Sequence, residues 1–269
     1  MKFSILTPTH NRADVLPFAV QSALAQTEND WELLIVGDGC TDHTASVVAQ
    51  FRDPRVQWFD LPKGIGFGYD NRNFAFRRMR GKYVAYLPHD DLWFPDHLSL
   101  LARCLEENGA EWAYSRPIWV EPDGALLPGD FDLGDAAIRA QFLQRTLNGV
   151  PSGCVLHRRD CFGRYGYWNN SLPTCGDWDM WARIIDSSDR LGYLSTPTSL
   201  HFRANWRTQS NALSHLLAHP DLTDILPRLA PAPTPQQSAW QCITRQPDWV
   251  TSTRTCIHKL DQLIKRRDQ

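Results

Sequence analysis

The chain has 269 residues and a formal net charge of −2, from 28 Lys and Arg against 30 Asp and Glu. At roughly 150 residues per domain this is one large domain with an appendage, not two independent halves, and 42% hydrophobic residues supply a core without disulfides or structural metal. The near-neutral balance excludes the cationic footprint of a duplex-binding protein, so no nucleic-acid partner is expected. No segment approaches the roughly 18 apolar residues of a membrane span, and the opening Met-Lys-Phe-Ser-Ile-Leu breaks at Thr7-Pro8-Thr9 before a secretory core can form. The seven cysteines include no Cys-x-x-Cys pair and read as reduced thiols, which makes a cytoplasmic setting the expectation.

Phe3 to Thr7 is a short apolar run, after which Val15, Leu16, Ala19, Val20, Ala23 and Leu24 recur at helical spacing behind Asp14 as a candidate cap. Trp31 to Val36 reads as a buried strand ended by Gly37-Asp38-Gly39, followed by a helix over Thr41 to Phe51. A third strand at Val56 to Phe59, a helix from about Tyr69 to Met79, a strand at Tyr83 to Leu87 and a helix from about Asp96 to Gly109 complete the alternation. This pattern predicts an α/β fold with a mostly parallel sheet flanked by helices. Beyond Glu121 the pattern loosens into a second half with a helix over Ala136 to Leu147, a strand at Cys154 to His157 and a helix from about Trp178 to Ile185. From Pro227 a Pro-rich linker precedes a helical C-terminal extension, in which Cys256, Ile257, Leu260, Leu263 and Ile264 form an apolar stripe beside Arg254, Lys259, Lys265, Arg266 and Arg267. Such a helix suits docking on the body of the domain, with peripheral contact with an anionic membrane surface as the alternative.

Ligands of open α/β sheets bind outside the carboxyl ends of the strands, so the loops after strands carry the candidate chemistry. Tyr83-Val-Ala-Tyr-Leu-Pro-His89-Asp90-Asp91 runs a buried strand into two adjacent carboxylates. These suit a hard divalent cation, Mn²⁺ or Mg²⁺, with neighbouring side chains diverging to different tasks; the alternative is the cap of the next helix. In Val36-Gly37-Asp38-Gly39 an acid flanked by glycines stands where a base N–H or a ribose hydroxyl would donate, or makes an ordinary turn. Gly64-Ile-Gly66-Phe-Gly68 fails the dinucleotide fingerprint because the third glycine falls one place early. Cys175-Gly176-Asp177-Trp178-Asp179 sets two acids beside aromatics at a helix start, where aromatic walls raise a carboxylate's pKa and the helix dipole lowers it.

Taken together in this order, Thr7-Pro-Thr-His-Asn-Arg12, Val36-Gly-Asp-Gly-Cys-Thr-Asp42, Asn71-Arg-Asn73, Gly81 to Asp91 and Gly176-Asp-Trp-Asp-Met-Trp181 resemble the inverting family 2 glycosyltransferases of the GT-A fold, over roughly residues 3 to 210. The resemblance implies a glycosyltransferase domain over 1–215, with a nucleotide-sugar-binding half at 1–115, an acceptor and catalytic half at 116–215, and the extension at 216–269. By this resemblance Pro8, Thr9 and Asp38 hold the nucleotide base, Arg72 reaches the base or diphosphate, Asp90 meets the ribose or sugar, and Asp91 ligates Mn²⁺ or Mg²⁺. Asp177 is the general base, with Asp179 next in line. The implied donor is a nucleotide sugar, a UDP-sugar first, and the acceptor a glycan, lipid-linked or other hydroxyl, in bacterial-type surface glycan synthesis. Acceptor recognition is expected around Asn148 to Cys154, Tyr165 to Trp168 and Trp178.

Three departures bear on these roles. The usual Asp-Asp-Gly-Ser is Gly37-Asp38-Gly39-Cys40, His89 stands in the metal motif, and Gly176 replaces the Glu before the base. The later segment His201-Phe-Arg203-Ala-Asn205 resembles the family's Tyr-Arg-x-His segment, with Asn205 where a histidine is common, which implies for Arg203 either a contact to the diphosphate or a structural salt bridge. These departures also leave a rival reading, a catalytically degenerate nucleotide- or glycan-binding module.

Overall fold

The computed structural model describes residues 1–120, 126–129, 131–188 and 190–202. The first half runs β1 (Phe3–Thr9), α1 (Leu16–Leu24), β2 (Trp31–Asp38), α2 (Thr44–Val48), β3 (Val56–Leu61), α3 (Tyr69–Phe76) and β4 (Tyr83–Tyr86). There follow β5 (Leu92–Trp93), α4 (His97–Glu107), β6 (Trp112–Ser115), β7 (Ile118–Val120) and β8 (Leu126–Pro128). The remainder is α5 (Ala136–Leu143), a 3-10 turn (Ser152–Cys154), β9 (Val155–Arg158), α6 (Cys161–Tyr165), α7 (Gly176–Asp186), β10 (Leu191–Leu194) and β11 (Ser199–Phe202).

Seven strands form the main sheet in the order β10-β6-β9-β4-β1-β2-β3. All neighbours are parallel except β9, which runs antiparallel between β4 and β6. Because both faces are covered, side chains of opposite parity are buried alike: Ile5, Leu33 and Ile35 join one core cluster with Leu16 and Leu101, while Leu6, Leu34 and Val36 join another with Phe76 and Trp181. This is why the strands read as continuous apolar runs and not as alternation. A smaller sheet, β5-β11-β7-β8, covers a third cluster that includes Leu92, Phe94, Ile118 and Leu200. The fold is the expected α/β arrangement with a largely parallel sheet flanked by helices.

Several boundaries differ from the sequence expectation for identifiable reasons. Helix α2 starts at Thr44 because Asn11 Oδ1 accepts from Thr41 N at 2.7 Å and Asp42 Oδ1 accepts from Thr44 N at 3.0 Å, holding the preceding residues in a loop. Asp14 does not cap α1, whose start instead uses Leu16 N donating to Arg12 O at 3.0 Å and a proline in its first turn. Asp135 does cap α5, accepting from Ala137 N and Ile138 N. Strands β5 to β8, β10 and β11 are two to four residues long, too short to carry a period. Arg203, Asn205, the Pro-rich linker and the basic stripe of the C-terminal extension lie outside the described residues. Among the described residues no helix is long and apolar enough to cross a membrane.

Strand β4 enters the sheet through Gly81, whose amide donates to Ser4 Oγ at 2.8 Å. A Cβ at Gly81 would stand 2.4 Å from the backbone nitrogen of Ser4 and 2.5 Å from the carbonyl carbon of Phe3, so only glycine permits this approach of the two strands. Gly81→Ala is expected to cost about 1–3 kcal/mol and to lower Tm by several degrees in a thermal melt; an unchanged Tm contradicts the close approach.

Candidate active site

A cavity of about 450 Å³ opens at the carboxyl ends of β1 and β4. Pro8 of β1, Arg72 of α3, Asp90 after β4, Trp119 of β7, Asp177 of α7 and His201 of β11 all line it. The structure therefore brings together four of the residues singled out from sequence: Pro8, Arg72, Asp90 and Asp177. Thr9, Asp38 and Asp91 do not line this cavity.

Asp90 and Asp91 diverge as neighbours on an extended segment should. Asp91 is fully buried, and its carboxylate accepts from His201 Nδ1 at 2.8 Å and from Phe202 N at 3.2 Å. Burial pushes its pKa up, and His201 works in the opposite direction. Gly153 makes room for it, since a Cβ there would lie 2.7 Å from Asp91 Oδ2. His201 Nδ1 is thereby engaged, while its ring lines the cavity and meets Trp119 edge-on with centroids 4.9 Å apart. His89, in the place of a third acid, hydrogen-bonds Pro8 O through Nδ1 at 3.0 Å and so joins the turn after β4 to β1.

Asp38 is engaged on every side. Its Oδ1 accepts from Gly64 N at 2.7 Å and Asn71 Nδ2 at 2.6 Å, and its Oδ2 accepts from Lys63 Nζ. Burial pushes the carboxyl up, but the Lys63 ammonium and the Gly64 and Asn71 donors together hold its pKa below the ordinary value. The glycines of this loop serve that carboxylate: Gly68 has φ +68, and a Cβ on it would fall 2.5 Å from Asp38 Oδ2. Thr9 is 2% exposed, and its carbonyl faces Cys40 Sγ at 3.7 Å.

Around Arg72 the Asn71-Arg72-Asn73 segment builds an aromatic cradle. Asn73 Nδ2 donates to Trp168 O at 2.8 Å and its Oδ1 accepts from Trp168 N at 3.2 Å, which fixes Trp168. The Arg72 guanidinium lies 5.3 Å from the Tyr69 ring centroid and 5.6 Å from that of Trp168. Its Nε is buried without a hydrogen-bond partner, and burial lowers its pKa. An unpaired Nε is unusual, since buried donors are ordinarily satisfied, while Asp177 and Asp38 act on the guanidinium through their charge.

Tyr69 also accounts for the third departure. Its hydroxyl accepts from Gly176 N at 3.0 Å, and a Cβ at Gly176 would stand 2.9 Å from the ring, so the glutamate expected there has no room. Asp177 then lines the cavity without a carboxylate neighbour, and burial raises its pKa although Trp178 N–H and Arg72 oppose the shift. The net shift is upward because burial of the carboxyl dominates. Asp179 turns to Arg183 Nη2 at 3.0 Å and Arg145 Nη2 at 3.6 Å and does not line the cavity.

Sequence reasoning passed over His201, Tyr69 and Trp119 as wall residues. The signal for His201 lies in the later motif, where it stands two places before Arg203. Of the segments where acceptor recognition is expected, Asn148, Val150, Pro151, Ser152 and Trp168 line the cavity, while Trp178 does not and donates through Nε1 to Phe142 O at 3.0 Å. Among the described residues no cluster of three or more His, Cys, Asp or Glu stands ready for a metal ion. What the cavity wall offers is two carboxylates, Asp90 and Asp177, and two imidazoles, His89 and His201, with His89 Nε2 3.8 Å from Asp90 Oδ2.

An uncharacterised glycosyltransferase of Rickettsia felis is 28% identical over 202 residues, covering 68% of this chain and 31% of its own length, so the chain spans about a third of that relative. The Escherichia coli UDP-Glc:alpha-D-GlcNAc-diphosphoundecaprenol beta-1,3-glucosyltransferase WfgD is 29% identical over 113 residues, 41% of this chain and 44% of its own. Among solved structures, Staphylococcus aureus TarS 1–349 in complex with UDP-GlcNAc superposes with a TM-score of 0.64 at 17% identity, covering 91% of this chain and 72% of that one. The mannosyltransferase PcManGT of Pyrobaculum calidifontis, in complex with GDP-Man and Mn²⁺, gives a TM-score of 0.57 at 16% identity over 97% of this chain and 75% of its own. The fold they share is GT-A. With residues 4–166 matching the family model for glycosyl transferase family 2, the chain belongs to that family.

Proposed function

We propose that this chain transfers a sugar from a nucleoside diphosphate donor to an acceptor hydroxyl by a single in-line displacement, with inversion at the anomeric carbon. The observation that carries this reading is the convergence of Arg72, Asp90, His201 and Asp177 on one cavity. Asp177 is the general base, since a carboxylate with a raised pKa takes a proton more readily near neutrality than an ordinary aspartate. As the acceptor oxygen bonds to the anomeric carbon, its proton passes to Asp177 and the breaking carbon–oxygen bond leaves its electron pair on the diphosphate. Arg72, held rigid between Tyr69 and Trp168, faces that developing charge.

The residues present fit a divalent cation held jointly with the donor. Asp90 offers oxygen and His201 a ring nitrogen, and Asp91 engages the other nitrogen of His201, as a carboxylate commonly does behind a ligating histidine. A mixed oxygen and nitrogen set favours Mn²⁺ over Mg²⁺. When bound, such a cation compensates charge on the departing diphosphate. This reading moves the metal from Asp91, where sequence reasoning put it, to Asp90, and makes Asp91 a positioning residue. Asp38 and Thr9 likewise shape the loops at the nucleotide end instead of touching the base, leaving Pro8 on the wall.

A UDP-sugar is the donor this reading favours, in keeping with the UDP-GlcNAc bound by TarS and the UDP-Glc in the name of the E. coli relative. The acceptor class is a glycan or lipid-linked sugar, as that relative's diphosphoundecaprenol substrate illustrates. Synthesis of a bacterial surface glycan at the cytoplasmic side fits both.

Three outcomes follow. Asp177→Asn should leave UDP affinity within error while kcat for transfer falls by roughly 10²–10⁴-fold; transfer near the wild-type rate moves the base elsewhere. Because the raised pKa means Asp177 is protonated at a higher pH than an ordinary aspartate, kcat/KM should fall on acidification with an apparent pKa above about 4. A profile flat to that pH contradicts the assignment. In calorimetric titration with UDP, Asp90→Asn and His201→Asn should lose the dependence on Mn²⁺, whereas Asp91→Asn should weaken metal affinity about 10–100-fold. Full Mn²⁺ dependence in Asp90→Asn defeats the metal assignment.

A further inference from the structure

A second cavity, of about 400 Å³, lies at the opposite edge of the main sheet, lined by Met1, Arg80, Lys82, Arg158, Arg159 and Asp160. We propose that it is a binding site for a phosphate group, separate from the transfer cavity. Its position follows from the one strand that breaks the parallel order. Strand β9 runs antiparallel to β4 with Arg158 opposite Tyr83, so the end of β9 arrives beside the start of β4 at the amino edge, and Arg159 N donates to Lys82 O at 2.9 Å. The polypeptide thus gathers four cationic side chains around a concavity remote from the carboxyl ends where the transfer cavity opens.

These four charges are not equally available. Arg80 is tied through Nε and Nη2 to the buried Glu32, and Lys82 shares an exposed pair with Glu106 at 3.2 Å. Asp160, the one acid of the wall, is paired with Arg164 at 3.0 Å. Arg158 and Arg159 have no carboxylate partner among the described residues. Each is instead anchored by its Nε to a backbone carbonyl, Arg158 to Ala110 O at 3.0 Å and Arg159 to Gly81 O at 2.8 Å. Anchoring at Nε orders the guanidinium and leaves its two terminal amino groups as donors, the fork that matches a phosphate in bidentate fashion. No aromatic side chain lines the cavity, so a nucleobase or sugar face finds no stacking partner, whereas a compact phosphate or diphosphate needs none. The chemistry fits a soluble phosphate ester and a phospholipid headgroup alike.

The test uses the full chain in the absence of divalent metal and compares wild type with Arg158→Gln/Arg159→Gln. Pyrophosphate titrated by calorimetry at low ionic strength reads the soluble source, and co-sedimentation with phosphatidylglycerol against phosphatidylcholine vesicles reads the headgroup source. The proposal expects the double variant to lose at least about tenfold in affinity in one of these arms, with the arm identifying the source, and its sugar transfer to remain at the wild-type rate. Arg158→Lys/Arg159→Lys should recover part of the binding, and Glu106→Gln, which releases Lys82, should tighten it whether or not the double variant folds well. Binding indistinguishable between wild type and the variants in both arms overturns the site.

Discussion

A carboxylate with no exposure, at the point where a buried strand ends, is the constraint on which the cavity depends. Unpaired, such a group costs several kcal/mol. Asp91 is paired by the His201 ring and the Phe202 amide, both from β11. That arrangement joins the turn after β4, in the main sheet, to the small sheet, and Gly153 leaves the space it needs. Its two consequences lie side by side: Asp90, one residue earlier, is turned to the cavity, and the His201 ring is oriented on the cavity wall. Asp91, which reads from sequence as a metal ligand, is thus engaged by its two neighbours on β11.

The opposite wall is assembled in the same manner, with contacts between α3 and the second half doing the positioning. Asn73 grips the Trp168 backbone, Trp168 and Tyr69 hold the Arg72 guanidinium, and the Tyr69 hydroxyl meets the start of α7 at Gly176. Arg72 and Asp177 therefore belong to one packed unit, and each affects the other's protonation. Strand β9 contributes at both edges of the sheet: the 3-10 turn before it makes room for Asp91, and its end delivers Arg158 and Arg159 to the basic cavity.

Much of this was legible in the sequence because parallel strands buried on both faces leave uninterrupted apolar runs, and the polar groups that follow them mark the edge where ligands bind. Asp90 stands out on that basis, Asp177 as an acid beside aromatics at a helix start, and Pro8 and Arg72 through the family resemblance; the four share one cavity. The small sheet was not legible, because strands of two or three residues such as β5 and β7 carry no period and are defined by their partners. For the same reason the sequence does not separate the two aspartates. Which of two adjacent side chains faces the cavity depends on β11, over a hundred residues later. Asp38 illustrates a further limit: its acid beside glycines is compatible with a ligand, but the loop Lys63 to Gly68 folds back to occupy it.

The most direct test of the account is a crystal structure of this chain with UDP and Mn²⁺, with the metal located by its anomalous signal. The account expects a single Mn²⁺ peak bonded to Asp90 and to His201 Nε2, with the diphosphate against Arg72 and Asp177 on the side of the cavity left open. A peak on Asp91, or a nucleotide seated outside this cavity, would contradict it.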